Sequence, residues 1–248
     1  MILAIDIGNT NTIFALVTRK GVIKRRWSIL TNKLTDDTNA GYLKVQADIS
    51  ATYIVSVVPY LSRVVKKKVR KKSTKKKVFI IGKDIKVPLK NFYNRKQIGQ
   101  DRLIIAYAAS FFYGKPALII DFGTAMTFDY LSQKGEYLGG LILPGIKMSL
   151  DSLHERTALL PKTHLKKTSS FIGKNTVQSI RNGMIYGYGA ICDGLIKAFR
   201  KRMGKKLHVV ATGGDAALIT GYAKESIKLD NDLSLKGLYL IAKSNNAF

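Results

Sequence analysis

Two stretches carry the residue types that a phosphate site needs. "DIGNTNTI" (6–13) and "DFGTAMT" (121–127) each run an apolar strand into Asp-x-Gly and then into small polar residues. Gly8 permits close backbone approach, and successive N–H groups in such a turn form a small concave nest for an anion. Thr10, Asn11 and Thr12 add side-chain donors. Asp6 and a phosphate would repel each other, and a Mg²⁺ ion with waters between resolves that conflict. A third turn, "ATGGDA" (211–216), ends a late apolar run in a glycine pair. A single such turn is also what an ordinary polar hairpin looks like. Two copies and the late glycine pair favour phosphate binding.

Other chemistries find less support. No G-x-x-x-x-G-K-[ST] occurs, and "GYGAIC" (187–192) misses G-x-G-x-x-G at its last position and lies in a helical pattern. Gly183, Gly187, Ala190 and Gly194 fall near one helix face and read as close helix packing, within the chain or across a subunit interface. His154, His164 and His208 are scattered, and Cys192 is the only cysteine. A zinc site and an intrachain disulfide are therefore not expected, and a cytoplasmic setting is. No apolar run reaches membrane-spanning length, and the first one meets Asp6 too soon to be a signal peptide. The formal charge of +26 points to anionic partners: nucleic acid, a membrane surface or phosphorylated small molecules.

The elements that must hold these turns repeat as well. Residues 2–7, 11–18 and 22–30 read as strands joined by "NTN" and "RKG", and 117–123, 124–132 and 137–145 as strands with a "QKG" turn that echoes the earlier one. Strands at 51–58 and 77–82, a helix after Pro59 and a helix at 100–114 complete the first half. Helices near 146–159 and 176–203, a strand at 207–214, a further helix and a last amphipathic stretch complete the second. Such repetition is architecture, and it predicts two α/β lobes, 1–114 and 115–248.

The paired hairpins resemble those of the actin-like ATPase superfamily of sugar kinases, acetate kinases and heat-shock chaperones. The ordered set "DIGNTNT" (6–12), "IGQDR" (98–102), "DFGTAMT" (121–127), "GGLILPG" (139–145), "SLHERTALLP" (152–161), "NTVQSIRNGMIYG" (175–187) and "ATGGDA" (211–216) resembles type III pantothenate kinase over nearly the whole chain. The resemblance implies two ribonuclease-H-like lobes with a duplicated β-hairpin core and an ATP cleft between them. It implies ATP-dependent phosphorylation of pantothenate to 4′-phosphopantothenate, the first step of coenzyme A biosynthesis.

Residue by residue, the resemblance makes Asp101 the general base, which takes the alcohol proton as the bond to phosphorus forms. Asp101 also reads as a helix N-terminal acid, and the two roles are compatible. Asp6, Ile7, Gly8, Asn9, Thr10, Asn11, Thr12, Ile13 and Thr124 would contact ATP. Tyr93, Gly99, Gln100, Asp101, Arg102 and Thr176 would line the pantothenate site, with Arg102 a clamp for carboxylate or phosphate. Asp121 would hold a monovalent cation, K⁺ or NH₄⁺, and Asp6 would meet Mg²⁺ through water. A homodimer with substrate near the subunit interface is expected, and no membrane association.

The run "RVVKKKVRKKSTKKK" (63–77) has ten Lys or Arg in fifteen residues. It reads first as a solvated helix face with Val64, Val65 and Val69 turned inward. The alternative is a non-enzymatic, nucleic-acid-associated regulator on the same fold. The run lacks interleaved aromatics, which argues against base stacking. Focusing of ATP and anionic pantothenate is a third role for the charge.

Overall fold

Apolar strand runs and turn chemistry build the same five-stranded sheet twice. The structure is a computed structural model, and it describes residues 1–36, 40–43, 47–72, 77–94 and 96–248. In the first sheet β1 (Ile2–Ile7), β2 (Asn11–Val17) and β3 (Ile23–Leu30) form an antiparallel meander. β4 (Ala51–Ser56) lies parallel to β1, and β5 (Lys77–Ile80) parallel to β4. In the second, β6 (Ala117–Phe122), β7 (Ala125–Leu131) and β8 (Tyr137–Pro144) form the meander. β9 (His208–Thr212) lies parallel to β6, and β10 (Lys228–Leu229) parallel to β9. The orders β3-β2-β1-β4-β5 and β8-β7-β6-β9-β10 are the same topology.

The repetition reaches single hydrogen bonds. In the "RKG" turn Thr18 N–H donates to the Val22 carbonyl, Gly21 N–H to the Thr18 carbonyl and Val22 N–H to the Thr18 hydroxyl. In the "QKG" turn Ser132, Glu136 and Gly135 make the same three bonds. Gly21 and Gly135 hold φ of 82° and 76°, the left-handed region where glycine is favoured.

The chain divides into two compact units, Met1–Ala108 with Asp232–Phe248, and Ala109–Asn231. The sequence division put the last helix in the second lobe; its packing places it in the first. In the first unit α1 (Pro59–Lys72) packs Leu61, Val65 and Val69 against Leu3, Ile5, Ile7, Phe14 and Ile54 of the sheet. The last helix, α6 (Leu233–Ser244), packs on β1 and β4, and on α2 (Gln100–Phe112) through Gly237, where a Cβ would lie 2.6 Å from the Ile104 carbonyl oxygen. In the second unit Leu118, Ile120, Met126, Phe128 and Val209 pack against α3 (Ile146–Glu155), α4 (Thr176–Met203) and the single turn α5 (Ala216–Ile219).

α4 starts where Asn175 accepts from Gln178 N–H while the Gln178 side chain accepts from Lys174 N–H, a reciprocal cap. Gly204, at φ 105°, ends it. Its small-residue face is open among the described residues: a Cβ on Gly183, Gly187 or Gly194 meets none of them within 4 Å, whereas Gly189 sits against the Tyr222 backbone. Among the described residues no helix is long and apolar enough to cross a membrane.

The basic run is partly structural. Lys66 pairs with Asp84 at 2.6 Å, and Lys68 Nζ donates to the carbonyls of Leu34 (2.9 Å) and Asp36 (3.2 Å). Arg63, Lys67, Arg70 and Lys71 are exposed, and residues 73–76 lie outside the described residues.

Candidate functional site

The first turn is made by Gly8–Thr10, with Asn11 and Thr12 already in β2 and Asp6 opposite Ile13. Gly8 N–H donates to the Asn11 carbonyl at 3.0 Å, and a Cβ on Gly8 would lie 2.9 Å from that oxygen. Any larger residue would open the turn. Asn9, Thr10 and Asn11 are exposed, and Ile7 is buried in the core. Thr12 is fully buried, with its hydroxyl 3.0 Å from that of Thr31.

Asp6 is half-buried, and burial pushes its carboxyl up from the usual 3.8 to about 6. A hydrogen bond from Ser234 opposes the rise, and the charge of Asp101 adds to it. The structure thus brings Asp6 and Asp101 into one electrostatic neighbourhood. Ser234 is a residue that sequence reasoning missed. It lies on α6, distant in the chain, and no motif marks it.

Asp101 sits in the first turn of α2, and Gly99 just before it is a requirement of space. A Cβ there would run into the Asp101 carboxylate, which folds back over its own helix start. Arg102 is buried, with its guanidinium 5.5 Å from the Tyr93 ring centre, so the aromatic face holds the fork in place. Gln100 lies against Gly82, whose φ is 83°. It borders a cavity of ≈ 320 Å³ that Ser56, Ser62, Arg63 and Lys83 also line. An anionic substrate has room and two cations there.

The second turn belongs to the other unit. Asp121 stands opposite Thr127 on β7 and beside Thr212 on β9, and Gly123 and Thr124 are exposed. Gly145 donates its N–H to the Thr124 carbonyl at 3.1 Å. Gly213, at φ 98°, passes so close that a Cβ would lie 2.6 Å from Asp121 Oδ1 and from the Phe122 carbonyl oxygen. The "TGG" turn and the second Asp-x-Gly turn are therefore one structure. Thr176, the first residue of α4, is exposed in this unit.

Among the described residues no three His, Cys, Asp or Glu side chains converge as a metal set. A divalent ion here would rely on water for much of its shell, which suits Mg²⁺. Paired carboxylates with a raised Asp6 are a place short of positive charge, and Asp6 fits that ion. Asp121 is a half-buried carboxylate, the kind of oxygen ligand a hard monovalent cation takes. The Cys192 thiol is buried and pushed up to about 12, so it is no nucleophile.

A family profile described as type III pantothenate kinase matches residues 2–198. A type III pantothenate kinase of Syntrophobacter fumaroxidans is 37% identical over 256 residues, covering 99% of this chain and 98% of the relative. Among solved structures, a conserved Baf family protein of Campylobacter jejuni, described as a transcriptional activator, superposes with TM-score 0.59 at 21% identity and full coverage of both chains. The activator of 2-hydroxyisocaproyl-CoA dehydratase from Clostridium difficile, solved with bound ADPNP, superposes with TM-score 0.51 at 13% identity, covering 99% of this chain and 95% of that one. These structural likenesses speak to the fold: α/β, with the duplicated sheet of actin-like ATPases and sugar kinases.

Proposed function

The chain belongs to the type III pantothenate kinase family, and from that premise we propose how its residues share the work of moving a phosphoryl group from ATP to pantothenate in coenzyme A biosynthesis. The observation that carries the division is the pairing of Asp6, at the first turn, with Asp101, at the start of α2.

Residues 6–13 receive the phosphates. Asn9, Thr10 and Asn11 present their exposed polar atoms, Gly8 shapes the turn, and the buried Ile7, Thr12 and half-buried Ile13 anchor it. Thr124 reaches ATP from the second hairpin, and Asp121 holds K⁺ or NH₄⁺. Asp6 would hold Mg²⁺ through water, and the ion would supply charge neutralisation for the phosphates.

Pantothenate takes the site of Tyr93, Gly99, Gln100, Asp101 and Arg102, and Thr176 is assigned to the same substrate. The stacked Arg102 guanidinium binds its carboxylate. The Asp101 carboxylate accepts the proton of the primary hydroxyl as that oxygen bonds to the γ-phosphorus. The bond from the γ-phosphorus to the bridging oxygen breaks, and ADP leaves with those electrons.

The test is ADP release measured over a panel of hydroxyl acceptors. Release is expected to follow pantothenate and to need Mg²⁺ and K⁺ or NH₄⁺. A better acceptor in the panel overturns the substrate site, and indifference to either ion overturns that ion's assignment.

The chain works as a homodimer in this reading. The open small-residue face of α4 suits close approach by a second copy. Sedimentation velocity is expected to give twice the 27.5 kDa chain mass, and a monomer at assay concentration sinks the idea.

A further inference from the structure

The first phosphate loop is gripped from outside by one residue that no motif marked. Thr31 opens the 3-10 turn Thr31–Thr35 that follows β3. Its N–H donates to the Thr10 carbonyl at 2.9 Å, and its hydroxyl donates to the Gly8 carbonyl at 2.8 Å. The Thr12 hydroxyl lies 3.0 Å from Thr31 Oγ1. A hydroxyl has one proton, and that of Thr31 is committed to Gly8, so Thr12 donates to Thr31. Thr31 is 3% exposed and Thr12 0%, so water does not compete for these bonds.

The consequence is orientation. A trans peptide points its carbonyl and the following N–H in opposite directions. Drawing the Gly8 carbonyl toward Thr31 turns the Asn9 N–H away from it, and the bond to the Thr10 carbonyl does the same for the Asn11 N–H. Asn9, Thr10 and Asn11 are the exposed residues of the loop. The Asn9 N–H at the exposed tip is the group this orientation offers to an anion, while the Asn11 backbone, whose carbonyl accepts from Gly8 N–H, faces into the hairpin.

The far end of the same 3-10 turn is tied to the basic run. Lys68 on α1 donates to the carbonyls of Leu34 and Asp36, and Leu34 is buried in the core with Val65 and Val69. We propose that Thr31 is a positioning residue for the ATP phosphates, and that Lys68 supports it through the 3-10 turn. This rests on residues 6–13 being the ATP phosphate loop. It gives one lysine of the basic run a task in the kinase rather than in nucleic-acid binding.

Thr31→Val keeps volume and β-branching and removes only the hydroxyl. It is expected to raise both the KM and the calorimetric Kd for ATP about tenfold, leaving the KM for pantothenate within about twofold. Thr31→Ser is expected to restore most of the ATP affinity, and Lys68→Met to weaken it about two- to threefold. ATP binding unchanged in Thr31→Val overturns the proposal. So does a loss in which both KM values and the melting temperature move together and serine gives no rescue. Should Thr31→Val not fold, Thr31→Ser and Lys68→Met decide by the same split between ATP and pantothenate. An unmutated protein that does not bind ATP defeats the phosphate-loop reading itself; binding that is merely insensitive to Thr31 defeats only the brace.

Discussion

Asp101→Asn is expected to lower kcat about a thousandfold while the protein stays folded. General-base catalysis contributes on the order of 10²- to 10⁴-fold, and an amide cannot take the proton of the substrate alcohol. The substitution is nearly isosteric. Gly99 already leaves the space into which the side chain folds, so the start of α2 needs no adjustment. It also removes a negative charge that bears on Asp6, so the melting temperature is expected to hold or rise slightly. Steady-state kinetics with saturating ATP and pantothenate, beside a thermal melt, check both halves. A kcat within tenfold of the unmutated enzyme assigns the base elsewhere. A collapse in melting temperature makes Asp101 structural.

The hairpins were legible because their cues are local. Continuous apolar runs mark β1 and β6 as strands buried on both faces, and Gly21 and Gly135 mark turns whose three hydrogen bonds are the same. The motifs marked Asp6, Asp101, Asp121 and the "TGG" turn one by one, but not that Asp101 bears on Asp6 or that Gly213 lies against Asp121. What the sequence concealed was long-range. The amphipathic pattern of residues 233–244 says that a helix packs, but not on which sheet, so the return of α6 to β1 and its Ser234–Asp6 bond stayed hidden. Thr31 looks like a polar residue at a strand end until the fold sets it beside Gly8 and Thr10. Lys68 was read as one charge among ten. Its role comes from two backbone carbonyls, which have no sequence signature.

Asp6→Asn is expected to separate stability from function. Burial, with Asp101 adding to it, holds the folded carboxyl at about 6 against an ordinary 3.8, even though Ser234 works the other way. The folded chain therefore binds this proton more tightly than the unfolded chain. Between about pH 4 and 6 folding takes up a proton, so stability falls as pH rises through that window and stays reduced above it. The gap corresponds to about 3 kcal/mol at neutral pH and above. Asparagine carries no charge and can still accept from Ser234. At pH 8 the variant is expected to melt roughly 5 to 10 °C above the unmutated protein, with the advantage shrinking below pH 6 and gone near pH 4. Its kinase activity is expected to be lost with the carboxylate proposed to meet Mg²⁺. Adding Mg²⁺ and ADP is expected to raise the melting temperature of the unmutated protein more than that of the variant, because a dication favours the ionised carboxylate that burial disfavours. A melting difference that ignores pH, or a variant less stable at pH 8, refutes this account. The same follows if the nucleotide stabilises both proteins equally. If these outcomes hold, the reason for keeping a costly half-buried carboxylate at the end of β1 is the charge it presents to the proposed ion and nucleotide.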